Sequence, residues 1–184
     1  MKNKDLLIKT NRLILKNISI KDQKEFIEII ENEEVSKTYM LPLFKSYEEK
    51  LDLFIRFIEL TNNLERFVYG IYLKDRLIGF VNDVFIKDDE IELGYVIDPR
   101  FKNKGYASEV LDYSINYLFS LGYKCVKAGA FIENKASLRV IQKCNMQRLD
   151  GYEEIVYKDK KYLCENYVKF SKNINLSWFF SYLV

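Results

Sequence analysis

The chain has 184 residues, about one domain at ~150 residues each, with 48% hydrophobic and 30% charged residues. That balance is globular, and 7 Gly with 2 Pro exclude collagen-like and Pro-rich architectures. The formal charge of +2, from 29 basic and 27 acidic residues, is too even to make nucleic acid or an anionic membrane the main partner. Histidine is absent. Ser-His-Asp and Cys-His catalysis and a His-ligated metal site are therefore excluded for the chain alone. Any acid or base must be a carboxylate, Tyr, Lys, Cys, Ser or water, and no metal site is expected. The cysteines Cys125, Cys144 and Cys164 are widely spaced and lack a CxxC pair, so they read as reduced thiols. The N-terminus lacks the apolar run of a signal peptide, and the apolar stretch 178–184 is far short of the ~20 residues that span a bilayer. A cytoplasmic protein is expected.

In chain order, residues 12–16 alternate as a first strand. Ser19, with Asp22 three residues on, caps a helix carrying Phe26, Ile27 and Ile30 at helical spacing. Ser46 and Glu49 form a capping-box pair that opens a second helix, apolar over more than half its girth and so expected to contact more than the main core. Between the two helices, residues 38–44 are unusually apolar for a loop, which fits either folding under the body or lining a pocket. From Phe67 the period becomes two: strands 67–74 and 76–87 meet at a Lys74-Asp75 turn, and a strand 90–98 ends at Asp98-Pro99. A helix follows, with Ala107, Val110, Leu111, Ser114, Leu118 and Leu121 on one face and Gly122 as its stop. Then come a strand 125–132, a helix 135–143 and a last hairpin of 147–157 with 162–170. The order β-α-α-β-β-β-α-β-α-β-β specifies an α+β domain with a mixed sheet and helices on its faces.

The segment 98–107, DPRFKNKGYA, lies where a strand ends and a long helix begins. Unpaired N–H groups and the positive end of a helix dipole converge there, Gly105 permits close approach, and Arg100, Lys102 and Lys104 add cationic charge. These are the requirements of a phosphate or pyrophosphate site, without a Walker A or a GxGxxG pattern.

Lys102-x-x-Gly105-x-Ala107 resembles the acetyl-CoA loop of the GCN5-related N-acetyltransferases (GNAT), and the string 105–111 is similar to their ribosomal-protein N-acetyltransferase-like branch. Its neighbours strengthen the likeness: Leu77-Ile78-Gly79-Phe80 and Glu92-Leu93-Gly94-Tyr95 before it, and Asn134-x-x-Ser137-x-Arg139-Val140-Ile141-x-Lys143 after it. Three features depart from the pattern. Lys102 stands where Gln or Arg is usual, Asn103 where the branch often has Gly, and Cys144-Asn145-Met146 where it has L-G-F. Asn145 is expected to supply the left-handed cap in place of Gly. Ile141 occupies the place of the family's frequent catalytic Tyr.

The resemblance implies a single GNAT-like domain, residues 1–171, with a mixed, mostly antiparallel sheet of about seven strands, followed by an apolar C-terminal extension, residues 172–184. It implies transfer of acetyl from acetyl-CoA to a primary amine, a protein N-terminus or a small molecule, in a ternary complex without metal. Because an amine with a pKa of ~10 is mostly protonated at neutral pH, a base is needed, and the oxyanion and leaving thiolate need donors. By resemblance Glu92 is the base, acting through a water, and Ser137 stabilises or protonates the thiolate. Backbone around Val96 and Ile97 supplies oxyanion and pantetheine contacts beside Tyr95, Asn134 binds the pantetheine arm, and Arg139 belongs to the same helix motif. The residues Lys102, Asn103, Lys104, Gly105, Tyr106 and Ala107 hold the coenzyme's diphosphate. Acceptor recognition is expected from residues 39–44, the second helix and the hairpin 147–162, with Asp83, Asp88, Asp89, Glu153 and Glu154 as acidic attractors without evident clustering. The terminal segment 178–184 is expected to dock on the body or on a second subunit, leaving a homodimer open. A non-catalytic acyl-CoA-binding or sensor module on the same fold is the alternative. A nucleotide-binding protein without CoA is disfavoured, since nothing would hold Mg²⁺ beside a triphosphate.

Overall fold

The computed structural model describes residues 4–172. Its strands are β1 (Leu7–Lys9), β2 (Ile14–Lys16), β3 (Val68–Leu73), β4 (Arg76–Lys87), β5 (Glu90–Ile97), β6 (Cys125–Phe131), β7 (Gln147–Arg148), β8 (Glu153–Tyr157) and β9 (Lys160–Phe170). The helices are α1 (Gln23–Glu31), α2 (Glu33–Thr38), α3 (Tyr47–Asn62), α4 (Tyr106–Ser120) and α5 (Lys135–Lys143). The expected extension 172–184 lies, but for Lys172, outside the described residues. Among the described residues no helix is long and apolar enough to cross a membrane.

Among the described residues the sheet has nine strands in the order β1-β2-β3-β4-β5-β6-β9-β7, with β8 also on β9. Every pairing is antiparallel except β5 with β6, which α4 connects as a crossover. That parallel pairing is short: Glu90 faces Cys125, Ile91 faces Val126 and Glu92 faces Lys127. Beyond Glu92, β5 follows β4 as far as Ile97, while β6 follows β9 as far as Phe131. The sheet therefore splays open between two strands that both carry on.

Two apolar clusters hold the sheet between helices. On one face Val110, Leu111, Ile115 and Leu118 of α4, with Leu138 and Ile141 of α5, pack on Tyr69, Ile91, Leu93, Val126 and Ala128. On the other, Phe26 of α1 with Phe54 and Phe57 of α3 packs on Val68, Phe80 and Val96. Phe57 and Phe80 meet edge to face at 4.7 Å. Each such fully buried side chain stabilises the fold by roughly 1.5–3 kcal/mol. Strand alternation does the sorting, since Leu93 and Val96 differ in parity and face opposite clusters.

Local signals operate as the sequence indicates. Ser46 Oγ accepts from Glu49 N at 3.3 Å, although the Glu49 carboxylate closes on the Lys45 amide (2.6 Å) instead of on the amide of Ser46. Gly122 takes φ +88° at the stop of α4, and Asn145 takes φ 54° after α5, the left-handed cap expected of it. The broad apolar girth expected of α3 is only partly covered: Phe54 and Phe57 are buried, but Ile55 is 44% exposed.

The sheet exceeds the expected seven strands for physical reasons. β1 is a three-residue edge strand, too short to show a period. The expected strand 147–157 breaks into β7 and β8, end to end along β9, around Gly151 at φ +83°. α2 is also additional. Asn32, extended at φ −68° and ψ 126°, ends α1 and caps α2 by accepting from Glu34 N at 2.9 Å, so two short helices occupy what reads as one helix and a loop.

Candidate active site

A cleft of about 1040 Å³ opens where β5 and β6 part. Its walls come from α2 and the loop after it, the open edge of β5, the turn before α4, and α5 with β8 and β9. Main-chain direction along β5 is settled by register. Asp98 N donates to Ile78 O at 2.8 Å, so the even-numbered residues of β5 in the regular ladder, Val96 and Gly94, turn their peptide groups to β4. Leu93, Tyr95 and Ile97 turn theirs to the open edge. Of the two amides expected to meet the thioester, Ile97 faces the splay and Val96 faces β4, while Tyr95 supplies a second open-edge amide. Gly79 makes the ladder close at this point: an added Cβ would lie 2.1 Å from Val96 O.

At the far end of β5, Asp98 caps the turn 99–101 by accepting from Arg100 N at 2.9 Å. Asn103 then takes φ 62° and Gly105 φ 79°. Asparagine tolerates that conformation without needing glycine, which accommodates the departure at Asn103. Among the described residues, the amides of Asn103, Lys104, Gly105, Tyr106, Ala107 and Ser108 have no hydrogen-bond partner, and the first α4 bond is Glu109 N to Gly105 O at 3.1 Å. Consecutive unpaired donors at the start of a 15-residue helix suit an anionic oxygen-rich group. Lys102, Asn103, Gly105, Tyr106 and Ala107 line the cleft, as do Asn134, Ser137 and Arg139. The side chain of Lys104 does not: its Nζ lies 5.6 Å from the Phe101 ring centroid. Lys102 Nζ is paired with Glu34 of α2 at 2.8 Å across the mouth.

The two faces of the sheet bring different chemistry to the splay. On the α4–α5 face the Tyr95 hydroxyl lies 2.8 Å from Ser137 Oγ, and Ser137 N donates to the capping Asn134 Oδ1 at 3.1 Å. Burial pushes the Tyr95 phenol above its ordinary pKa, against a smaller downward effect of Ser137, so Tyr95 stays neutral. On the α1–α3 face stands Glu92. Burial raises its pKa, Glu153 on β8 adds to the rise, and Lys127 opposes it. Lys127 is paired with Glu90 at 2.7 Å.

Among the acidic attractors only Glu153 and Asp83 line the cleft. Glu153 accepts from Asn166 Nδ2 at 2.7 Å, next to Gly129, where a Cβ would lie 2.5 Å from Asn166 Oδ1. Asp83 is engaged by Arg66 and the Phe67 amide, Asp89 pairs with Lys124, Glu154 pairs with Lys161, and Asp88 sits in a turn at φ 51°. The loop 38–44 does both things weighed for it: Tyr39 and Met40 line the cleft while Leu41 is buried. Tyr39 donates to Asn82 Oδ1 at 2.6 Å, and Tyr157 OH donates to Ser36 O at 2.8 Å, tying β8 to α2. The sequence shows no sign of Asn82 and Asn166, because each acts through a partner outside its own strand, Tyr39 and Glu153, and neither carries a local signal. The three cysteines are buried and form no disulfide, and burial raises the thiol of Cys164, which lines the cleft, to about 11.

Fold and cleft together define an acetyltransferase of the GNAT type. The chain belongs to that family: the acetyltransferase (GNAT) domain matches residues 12–147. It is 30% identical over 161 residues to the uncharacterized N-acetyltransferase YoaA of Bacillus subtilis, covering 83% of this chain and 89% of that protein. The GNAT-family acetyltransferase from Bacillus anthracis superimposes with a TM-score of 0.76 at 25% identity, over 89% of this chain and 98% of that one. The microcin C7 self-immunity acetyltransferase MccE, solved in complex with acetyl-CoA and AMP, shares the fold with a TM-score of 0.79 at 17% identity, over 92% and 99% of the two chains.

Proposed function

We propose that this protein transfers acetyl from acetyl-CoA to a primary amine by direct attack in a ternary complex. The observation that carries the reading is the continuity of unpaired donors. The run of free amides at residues 103–108 leads to the open edge of β5, and Glu92 stands where that edge begins. The loop amides suit a diphosphate, and the Leu93, Tyr95 and Ile97 peptide groups suit the amide-rich pantetheine arm. The complex of MccE with acetyl-CoA and AMP supports this choice of donor.

In the reaction, Glu92 takes a proton from the acceptor ammonium, directly or through one water. Its raised pKa makes it a better base than an ordinary glutamate. The freed amine attacks the thioester carbonyl, forming a C–N bond, and open-edge amides stabilise the oxyanion. Breaking the C–S bond releases a thiolate, which Ser137 stabilises by hydrogen bonding and which takes the second proton of the attacking nitrogen. Tyr95, held neutral at 2.8 Å from Ser137, keeps that hydroxyl oriented. This arrangement serves where Ile141 replaces the family's frequent Tyr acid. Glu92 and Glu153 at the other end favour a positively charged acceptor.

The test is thiol release from acetyl-CoA across a panel of small amines and peptide N-termini, with mass-spectrometric detection of the acetylated product. Glu92→Gln should lower kcat by about 10²–10³-fold and flatten its rise with pH. Coenzyme binding without turnover on any amine would replace this reading with that of a sensor module.

A further inference from the structure

Arg12 lies two residues before β2 and some ninety residues upstream of the loop, yet its contacts converge on the later part of the loop and the first turn of α4. Its Nε donates to Glu109 Oε2 and its own amide to Glu109 Oε1, each at 2.7 Å. Thr10 Oγ1 donates to the same Oε1 at 2.5 Å. Its Nη1 donates to the carbonyl of Lys104 at 2.8 Å, its Nη2 lies 3.4 Å from where a Gly105 Cβ would be, and its guanidinium covers the Tyr106 ring at 4.6 Å. Glu109 is the acidic residue of the first turn of α4, and its side chain is 7% exposed.

We propose that Arg12 is the positioning residue of the coenzyme loop, acting in two ways; the inference rests on the acetyl-CoA reading above. The first is geometric. A trans peptide is planar, with its C=O and N–H pointing in opposite directions. Holding the Lys104 carbonyl on Arg12 therefore aims the Gly105 N–H away from Arg12, toward the side on which Gly105 lines the cleft. The second is electrostatic. A carboxylate in the first turn of α4 stands next to the amides that must receive an anion, and repels it. Burial alone would raise the pKa of Glu109, but the hydrogen bonds from Thr10 and Arg12 bring it below the ordinary carboxylate range, so it stays charged. Arg12 neutralises that charge where the diphosphate would otherwise meet it. Lysine cannot reproduce this, because one ammonium does not reach Glu109 and the Lys104 carbonyl in a fixed fork.

The test compares wild type and Arg12→Met by calorimetry with CoA and by turnover of acetyl-CoA against S-acetylpantetheine, which lacks the diphosphate. Arg12→Met should weaken CoA binding and raise KM for acetyl-CoA about tenfold or more, with kcat within about twofold and KM for S-acetylpantetheine unchanged. Arg12→Lys should restore less than half of the lost affinity. Equal losses on both thioesters would make Arg12 a general structural residue and overturn the proposal, as would wild-type affinity in Arg12→Met. If wild type itself binds no CoA, the acetyl-CoA reading falls first and the proposal with it.

Discussion

Gly79→Ala tests the geometry on which the open edge of β5 depends. An alanine methyl carbon there would sit 2.1 Å from Val96 O, 3.1 Å from Val96 C and 3.2 Å from Ile97 Cα. An ordinary carbon–oxygen contact needs more than ~3 Å, so the carbonyl must retreat by about 1 Å. It is main chain, in register with β4, and has no rotamer to turn. The strand must shift or the ladder must open. Overpacking costs about 1–3 kcal/mol, and a lost ladder bond adds about 1. The sum, about 2–4 kcal/mol, lowers Tm by roughly 4–16 °C in a chain of this length. The same shift displaces the Tyr95 and Ile97 amides, so CoA affinity should fall about tenfold or more, equivalent to ~1.4 kcal/mol. Thermal unfolding and calorimetry at a temperature where the variant is folded read the two effects separately. A Gly79→Ala variant that melts and binds CoA like wild type would refute both the close approach and the role of the β5 edge.

Three further expectations follow from the cleft. Glu153→Gln removes a like charge that raises Glu92, so Glu92 should deprotonate at lower pH and the acid limb of kcat/KM should move down; a limb that stays in place contradicts the coupling. Tyr95→Phe frees Ser137 to turn, and kcat should fall about tenfold while KM for acetyl-CoA holds; steady-state kinetics with unchanged kcat would remove Tyr95 from the reaction. Asp83→Ala strands the buried Phe67 amide, 2.7 Å from its carboxylate, and leaves Arg66 unpaired. Since Arg66 is 39% exposed and water recovers part of the loss, denaturant unfolding should show about 2–4 kcal/mol of destabilisation; a variant as stable as wild type would mean the pair contributes nothing.

Local chemistry made much of the fold and of the proposed coenzyme end legible. Ser46, Gly122 and Asn145 act where their side chains or backbone preferences indicate, because caps and turns are decided within a few residues. The segment 98–107 reads as an anion site for the same reason: strand end, turn and helix start are contiguous in the chain. Glu92, Tyr95 and Ser137 could be named from motifs, and the resemblance implied roles for Glu92 and Ser137, but not the 2.8 Å contact between Tyr95 and Ser137. Which face of the sheet each side chain takes follows from strand parity. Which amides lie open follows from pairing that stops after Glu92 and Lys127.

Composition and order alone determined the α+β class and the exclusion of histidine chemistry, since both depend on residue identity and periodicity. Only the tertiary structure decided which of several acidic residues faces the cleft. Glu153 does because β8 pairs with β9; Asp83 also lines the cleft but is ion-paired with Arg66, and Asp89 and Glu154 are taken up by Lys124 and Lys161. It likewise brought Arg12 to Glu109 and Lys104. Contacts between residues that far apart depend on how strands order in the sheet, and that order is settled by packing on both faces together, which no local stretch of sequence encodes.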